Sequence, residues 1–141
     1  MRERPVGELL AALGAKTPAP ASGTAAALTG ALAAALAELA GRFAGDDIAV
    51  ARAQALGARL VELAEEDAVA YTAFMANRSE ETRAAIVRVP EEIAAAADEV
   101  AAIADGVRVL LPPSTAGDAE AGAALARAAA AVAGRLVQLN L

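Results

Sequence analysis

Residues 24–41 read TAAALTGALAAALAELAG, a stretch whose only charge is Glu38. Alanine is the strongest helix former, and Leu28, Leu32, Leu36 and Leu39 recur at steps of four and three, so the segment is helical with its leucines on one face. Ser22 or Thr24 supplies an N-cap, and the helix runs to about Ala44. A helix apolar on every side belongs in the middle of a bundle. This reading sends the leucine row into the core, so Leu32→Asp is expected to prevent folding by burying an unpaired charge. The length also suits a membrane span, but the apolar residues are mostly alanine, no aromatic belt flanks them and the other helices are amphipathic. A buried helix of a soluble protein fits better.

Upstream, Pro5 followed by Val6, Leu9, Leu10 and Leu13, with Gly14 beyond, marks a short amphipathic helix. Pro18 and Pro20 keep the segment from Ala15 to Gly23 out of helix. Downstream, Gly45-Asp46-Asp47 stops the chain and recaps it for a long helix from about Asp47 to Asn77. Its stripe is Leu56, Leu60, Leu63, Asp67, Ala70 and Phe74. Ser79 with Glu80 and Glu81 opens a short turn or helix, and Pro90 with Glu91 and Glu92 opens the next helix. That helix buries Ile93, Ala97, Val100, Ile103 or Ala104, and Val107. Pro112 and Pro113 end it, and a last helix from about Asp118 to Leu139 carries Leu125, Ala129, Val132, Leu136 and Leu139 on its stripe. No strand is needed. The expected fold is one all-α domain over residues 1–141, an antiparallel bundle of about five helices around a buried central helix.

Composition narrows the function. The 141 residues carry a net charge of −6, and Lys16 is the only lysine, so there is no basic patch for nucleic acid. Without cysteine or histidine, thiol chemistry and the usual imidazole acid–base group are missing, and any metal site would be all-oxygen. No metal and no cofactor are expected. Met1 to Leu10 lacks the apolar run of a secretory signal, making the cytoplasm the default location. Because most of the apolar content is alanine, the core is thin, which favours a homodimer in which a second copy adds burial.

Asp67 occupies a position on its stripe where an apolar residue belongs, and Tyr71 follows one turn later on the same side. Together they suit a carboxylate tuned by burial for proton transfer beside a phenol; equally, the acid is a buried group satisfied by a loop amide or an arginine. Glu62, Glu65 and Glu66 read as a solvated face. Asp118 starts the last helix in phase with its stripe, as a pocket residue or as a cap for exposed amides. Lys16 faces the start of the central helix, whose amides and dipole suit an anion.

The run Lys16-Thr17-Pro18-Ala19-Pro20 into Ser22-Gly23-Thr24-Ala25-Ala26-Ala27-Leu28 resembles the entry to the central helix of the formiminotransferase-cyclodeaminase C-terminal family. That family includes methenyltetrahydrofolate cyclohydrolases. Glu66-Asp67-Ala68 with Tyr71 and Phe74, Val89-Pro90, Gly117-Asp118 and the terminal Leu139-Asn140-Leu141 follow in the same order. The resemblance implies an all-helical homodimer acting without metal on a tetrahydrofolate derivative or related small heterocycle, by ring closure with loss of ammonia or by hydrolysis of a methenyl bridge. It assigns catalysis to Asp67, Asp118 and Tyr71, and ligand contacts to Lys16, Pro20, Ser22, Gly23, Thr24 and Asn140. Asp67 and Asp118 are then expected to face one cavity near the Lys16–Thr24 loop. The family's Pro-Gly-Gly-Gly-Ser loop is here Pro20-Ala21-Ser22-Gly23-Thr24. The alternative function is a non-catalytic helical dimer that kept the scaffold as a binding or interaction module.

Overall fold

The computed structural model describes residues 1–141 as five helices: α1 (Val6–Gly14), α2 (Ser22–Ala44), α3 (Asp47–Ala76), α4 (Glu80–Arg108) and α5 (Gly117–Asn140). Helices α2 to α5 form an up-down-up-down bundle in which each packs against its chain neighbour and α5 closes back onto α2. Helix α2 also touches α4 across the bundle, which makes it the central element expected. The turns follow local chemistry. Gly45 ends α2 with φ +67°, a conformation that costs glycine nothing, and the Asp46 carboxylate accepts from the Ala49 amide to cap α3. Ser79 and Thr82 bond each other's backbone amides to start α4.

Helix α4 does not begin at Pro90, as the proline suggests; it runs unbroken through it. A proline inside a helix removes the hydrogen bond to the carbonyl four residues earlier, here Ile86. The Asn140 side-chain amide of α5 donates to that carbonyl at 2.8 Å. The gap is filled from outside, and Pro90 itself is buried in the core.

The core has two unequal halves. Helices α3 and α4 supply its large side chains, among them Leu60, Leu63, Val89, Ile93 and Val100, while α2 and α5 supply alanine and glycine. Leu60 lies against Gly30, and a Cβ at Gly122 would stand 3.2 Å from the Ala33 carbonyl oxygen, so the α2 and α5 backbones nearly touch. This close approach turns most of the large residues of both expected stripes toward solvent, while Ala129 of the α5 stripe stays buried as expected. Ala26, Ala27, Ala33, Ala34, Ala37 and Ala40 of α2 face inward, and Leu32 is 65% exposed. Likewise α5 buries Ala119, Ala123, Ala126, Ala129 and Ala133, leaving Leu125, Val132 and Leu139 exposed. Leucines at these crossings would hold the helices apart, so the small faces win the interior. Leu32→Asp is therefore expected to leave the fold of the single chain intact, contrary to the sequence expectation, and circular dichroism of the variant checks it.

By length and composition α2 alone could cross a membrane, and half of its most apolar window is buried inside the bundle. The acidic face of α3 is solvated, as expected, and cross-linked. Arg59 bonds Glu66 and Glu92 at 2.6 Å each, and Arg88 bonds Glu92 at 2.6 Å, tying α3 to α4. These two arginines hold the Glu92 carboxyl below the usual carboxylate range, Arg59 most strongly. Exposed pairs of this kind add little stability singly and weaken in salt.

Candidate functional site

Where the first turn of α2 meets α3 and the last turns of α5, a cavity of about 180 Å³ opens. Its wall comprises Pro18, Ala19, Ala21, Ser22 and Gly23 from the loop and α2, Asp67 and Tyr71 from α3, Ile86 from α4, and Leu136 and Asn140 from α5.

Asp67 is built into place by its neighbours. The seam spacing of α3 turns it toward the start of α2, a helix with no side-chain cap of its own at Ala21. Gly23 makes room: a Cβ there would overlap both carboxylate oxygens, so no other residue fits while the acid holds its position. The Thr24 hydroxyl donates to the Ala64 carbonyl at 3.1 Å, one turn before Asp67, and pins α2 to α3 at the right height. Burial raises the Asp67 pKa, and the Thr24 backbone amide opposes that rise only in part. The acid thus occupies the positive end of the α2 dipole, yet its proton is held more tightly than in water.

Tyr71 lines the same cavity one turn on, with its ring 6.4 Å from that of Phe74. No hydrogen bond ties it to Asp67, so both groups are open to a ligand. Asn140 gives one Nδ2 hydrogen to Ile86 and keeps its side-chain carbonyl as an acceptor. Thus Asp67, Tyr71, Ser22, Gly23 and Asn140 share one site.

Three of the expected residues fall elsewhere, and one stands behind the wall. Lys16 is exposed in the loop and lines no part of the cavity; Pro20 is half-buried outside the wall. Thr24 is fully buried with its hydroxyl already bonded, a structural role. Asp118 does not share a cavity with Asp67. It sits in the first turn of α5 while Leu136, near the opposite end, lines the pocket, and at 1.5 Å per residue the two levels are roughly 27 Å apart. The stripe argument fails because phase fixes only the direction of a side chain around the axis, not its level along it. Ile86 and Leu136 escaped the sequence reading, although Pro90 marked the freed Ile86 carbonyl for anyone counting back four residues.

Gly23→Ala pushes the Asp67 carboxylate off α2 into water, and a carboxyl moved to water loses its raised pKa. The Asp67-dependent change of stability with pH should then disappear in a melting series from about pH 4 to 8, while the helical signal stays. A variant that keeps the wild-type pH dependence would mean the two residues do not meet.

The geometry defines a class of domain: a four-helix bundle with an extra N-terminal helix and a small pocket built around one desolvated acid. The model of the formiminotransferase-cyclodeaminase family matches residues 5–141, and the chain belongs to that family. Its fold is similar to the crystal structure of formiminotetrahydrofolate cyclodeaminase from Thermotoga maritima, with a TM-score of 0.90 and 21% identity, covering 99% of this chain and 79% of that one. No curated protein matches the chain by sequence.

Proposed function

We propose that the cavity receives the reacting end of a tetrahydrofolate derivative or related small heterocycle, and that Asp67 transfers a proton there in a cyclodeaminase or cyclohydrolase reaction. The observation carrying this reading is a partly buried carboxyl with a raised pKa on the wall of a pocket, in a chain of this family. A carboxyl so tuned stays protonated to a larger extent near neutral pH than a water-exposed acid, so it has a proton to give a departing amine, and its more basic conjugate base takes a proton back from nitrogen or water. Tyr71 and Ser22 offer hydroxyls and Asn140 a carbonyl to orient the ligand. All of these are side chains of the protein, and the reaction as proposed uses no metal.

A whole folate exceeds about 180 Å³, and drug-sized ligands usually occupy pockets of ~300 Å³ or more. The cavity therefore encloses the one-carbon unit and the ring atoms around it, and the remainder lies along the open side. The alternative, a non-catalytic dimer, draws its support from the separation of Asp118 from Asp67.

A thermal-shift titration with 5-formiminotetrahydrofolate, 5-formyltetrahydrofolate and a simple pterin, read together with ammonia release, separates the two. The enzyme reading expects a rise of several degrees with a reduced folate, since a ligand bound only to the native state stabilises it, and ammonia from the formimino compound that EDTA does not suppress. No shift with any of them would refute a folate site.

A further inference from the structure

We infer that Pro90 is a positioning residue of the pocket: by freeing the Ile86 carbonyl it fixes which way the Asn140 amide points, and so makes the site prefer a ligand with an N–H over one with an oxygen at that point. The choice of ligand rests on the reaction proposed above; the clamp between Pro90, Ile86 and Asn140 does not.

A proline well inside a helix costs that helix stability unless something compensates. Pro90 acts on Ile86 in two ways. It lacks the amide that would have bonded the Ile86 carbonyl, and its ring crowds that carbonyl away from the helix axis. The oxygen is left for a partner outside α4. Asn140, the last residue of α5, reaches it at 2.8 Å across a separation of 54 residues. Ile86 and Asn140 both line the cavity that holds Asp67 and Tyr71, so this bond is part of the wall of the site.

A primary amide has a donor end and an acceptor end of nearly the same shape, and when free it can present either. Against Ile86 only one orientation works, because a backbone carbonyl accepts and cannot donate. Turning the amide over would set two oxygens against each other. Asn140 is therefore held with Nδ2 on Ile86 and Oδ1 turned from it. That oxygen has no hydrogen bond within the fold, and no buried side-chain oxygen of the chain lacks a partner, so Oδ1 is accessible to a ligand. The wall has no lysine or arginine to offset this acceptor.

The consequence is selectivity. A formimino group ends in an N–H where a formyl group ends in an oxygen, and the two tetrahydrofolates that carry them are otherwise alike. An oxygen placed against Oδ1 gives up water and gains no hydrogen bond, which penalises it more than a contact merely lost. Pro90 is buried and forms no part of the cavity wall, so it acts on the ligand only through Ile86 and Asn140.

Two measurements on the full chain test this. Heteronuclear NMR without ligand follows exchange of the Asn140 side-chain amide protons, which should quicken roughly tenfold in Pro90→Ala, where the restored backbone amide takes the Ile86 carbonyl. Thermal-shift titration gives dissociation constants for 5-formimino- and 5-formyltetrahydrofolate. The wild type should favour the formimino compound by roughly tenfold or more, and Pro90→Ala and Asn140→Leu should each cut that ratio about threefold or more at unchanged helicity. Unchanged exchange in Pro90→Ala overturns the inference, as does a ratio that neither variant moves, the result expected of a clamp that only holds α5 to α4. If Pro90→Ala fails to fold, Asn140→Leu decides, because it alters only the end of α5. If the wild type binds neither folate, the reaction proposed above is refuted and the exchange comparison alone decides the clamp.

Discussion

Leu60→Ala is expected to cost about 2–5 kcal/mol, toward the upper end, and to lower the melting temperature by on the order of 10 °C. Leu60 is fully buried, and its methyls lie 3.2 and 3.3 Å from where Gly30 would carry a Cβ. The cost of such a truncation depends on how far the surroundings collapse into the cavity. Around Leu60 they have little to move, since α2 presents glycine and alanine, which have no rotamer to swing into the gap. Denaturant unfolding measures the loss. A loss below about 1 kcal/mol would mean that α2 and α3 close on the vacancy as rigid bodies.

The second large effect falls on Asp67. In the folded chain its pKa is raised, chiefly by burial, so the fold favours the protonated form. The stability associated with that proton is fully present below the pKa of the unfolded chain, near the ordinary aspartate value. It is lost as pH rises through the higher folded value. An asparagine side chain in its place cannot titrate. Asp67→Asn should therefore match or exceed the wild type in melting temperature at pH 7, and this relative gain should vanish below about pH 4. Turnover of the formimino compound should meanwhile drop to background. Loss of stability at pH 7 would assign the charged acid to holding the α2 terminus, and retained turnover would remove it from the chemistry.

The helices themselves were legible in the sequence because their stops are local. Gly45 and Asp46, Ser79, and Pro112-Pro113 act within a few residues, and the observed ends lie close to the expected ones. Pro90 misled, since the partner that lets α4 continue, Asn140, lies at the far end of the next helix. The phase of α2 was beyond a periodicity argument. With no polar side to fix its rotation, either the leucines or the alanines can face inward, and only the distance to α5 decides. Asp67 was conspicuous as an acid on an apolar stripe, and Tyr71 came with it by spacing. Asp118 looked equivalent by the same criterion, but the length of α5 separates them.

The alanine seam between α2 and α5 also sets how the molecule responds to temperature. Heat capacity rises on unfolding in proportion to the apolar surface released, typically ~12–15 cal/mol/K per residue. Alanine releases little. With much of this interior made of methyl groups alone, the free-energy curve of the single chain is flattened, so its stability changes slowly between cold and warm conditions and cold denaturation recedes.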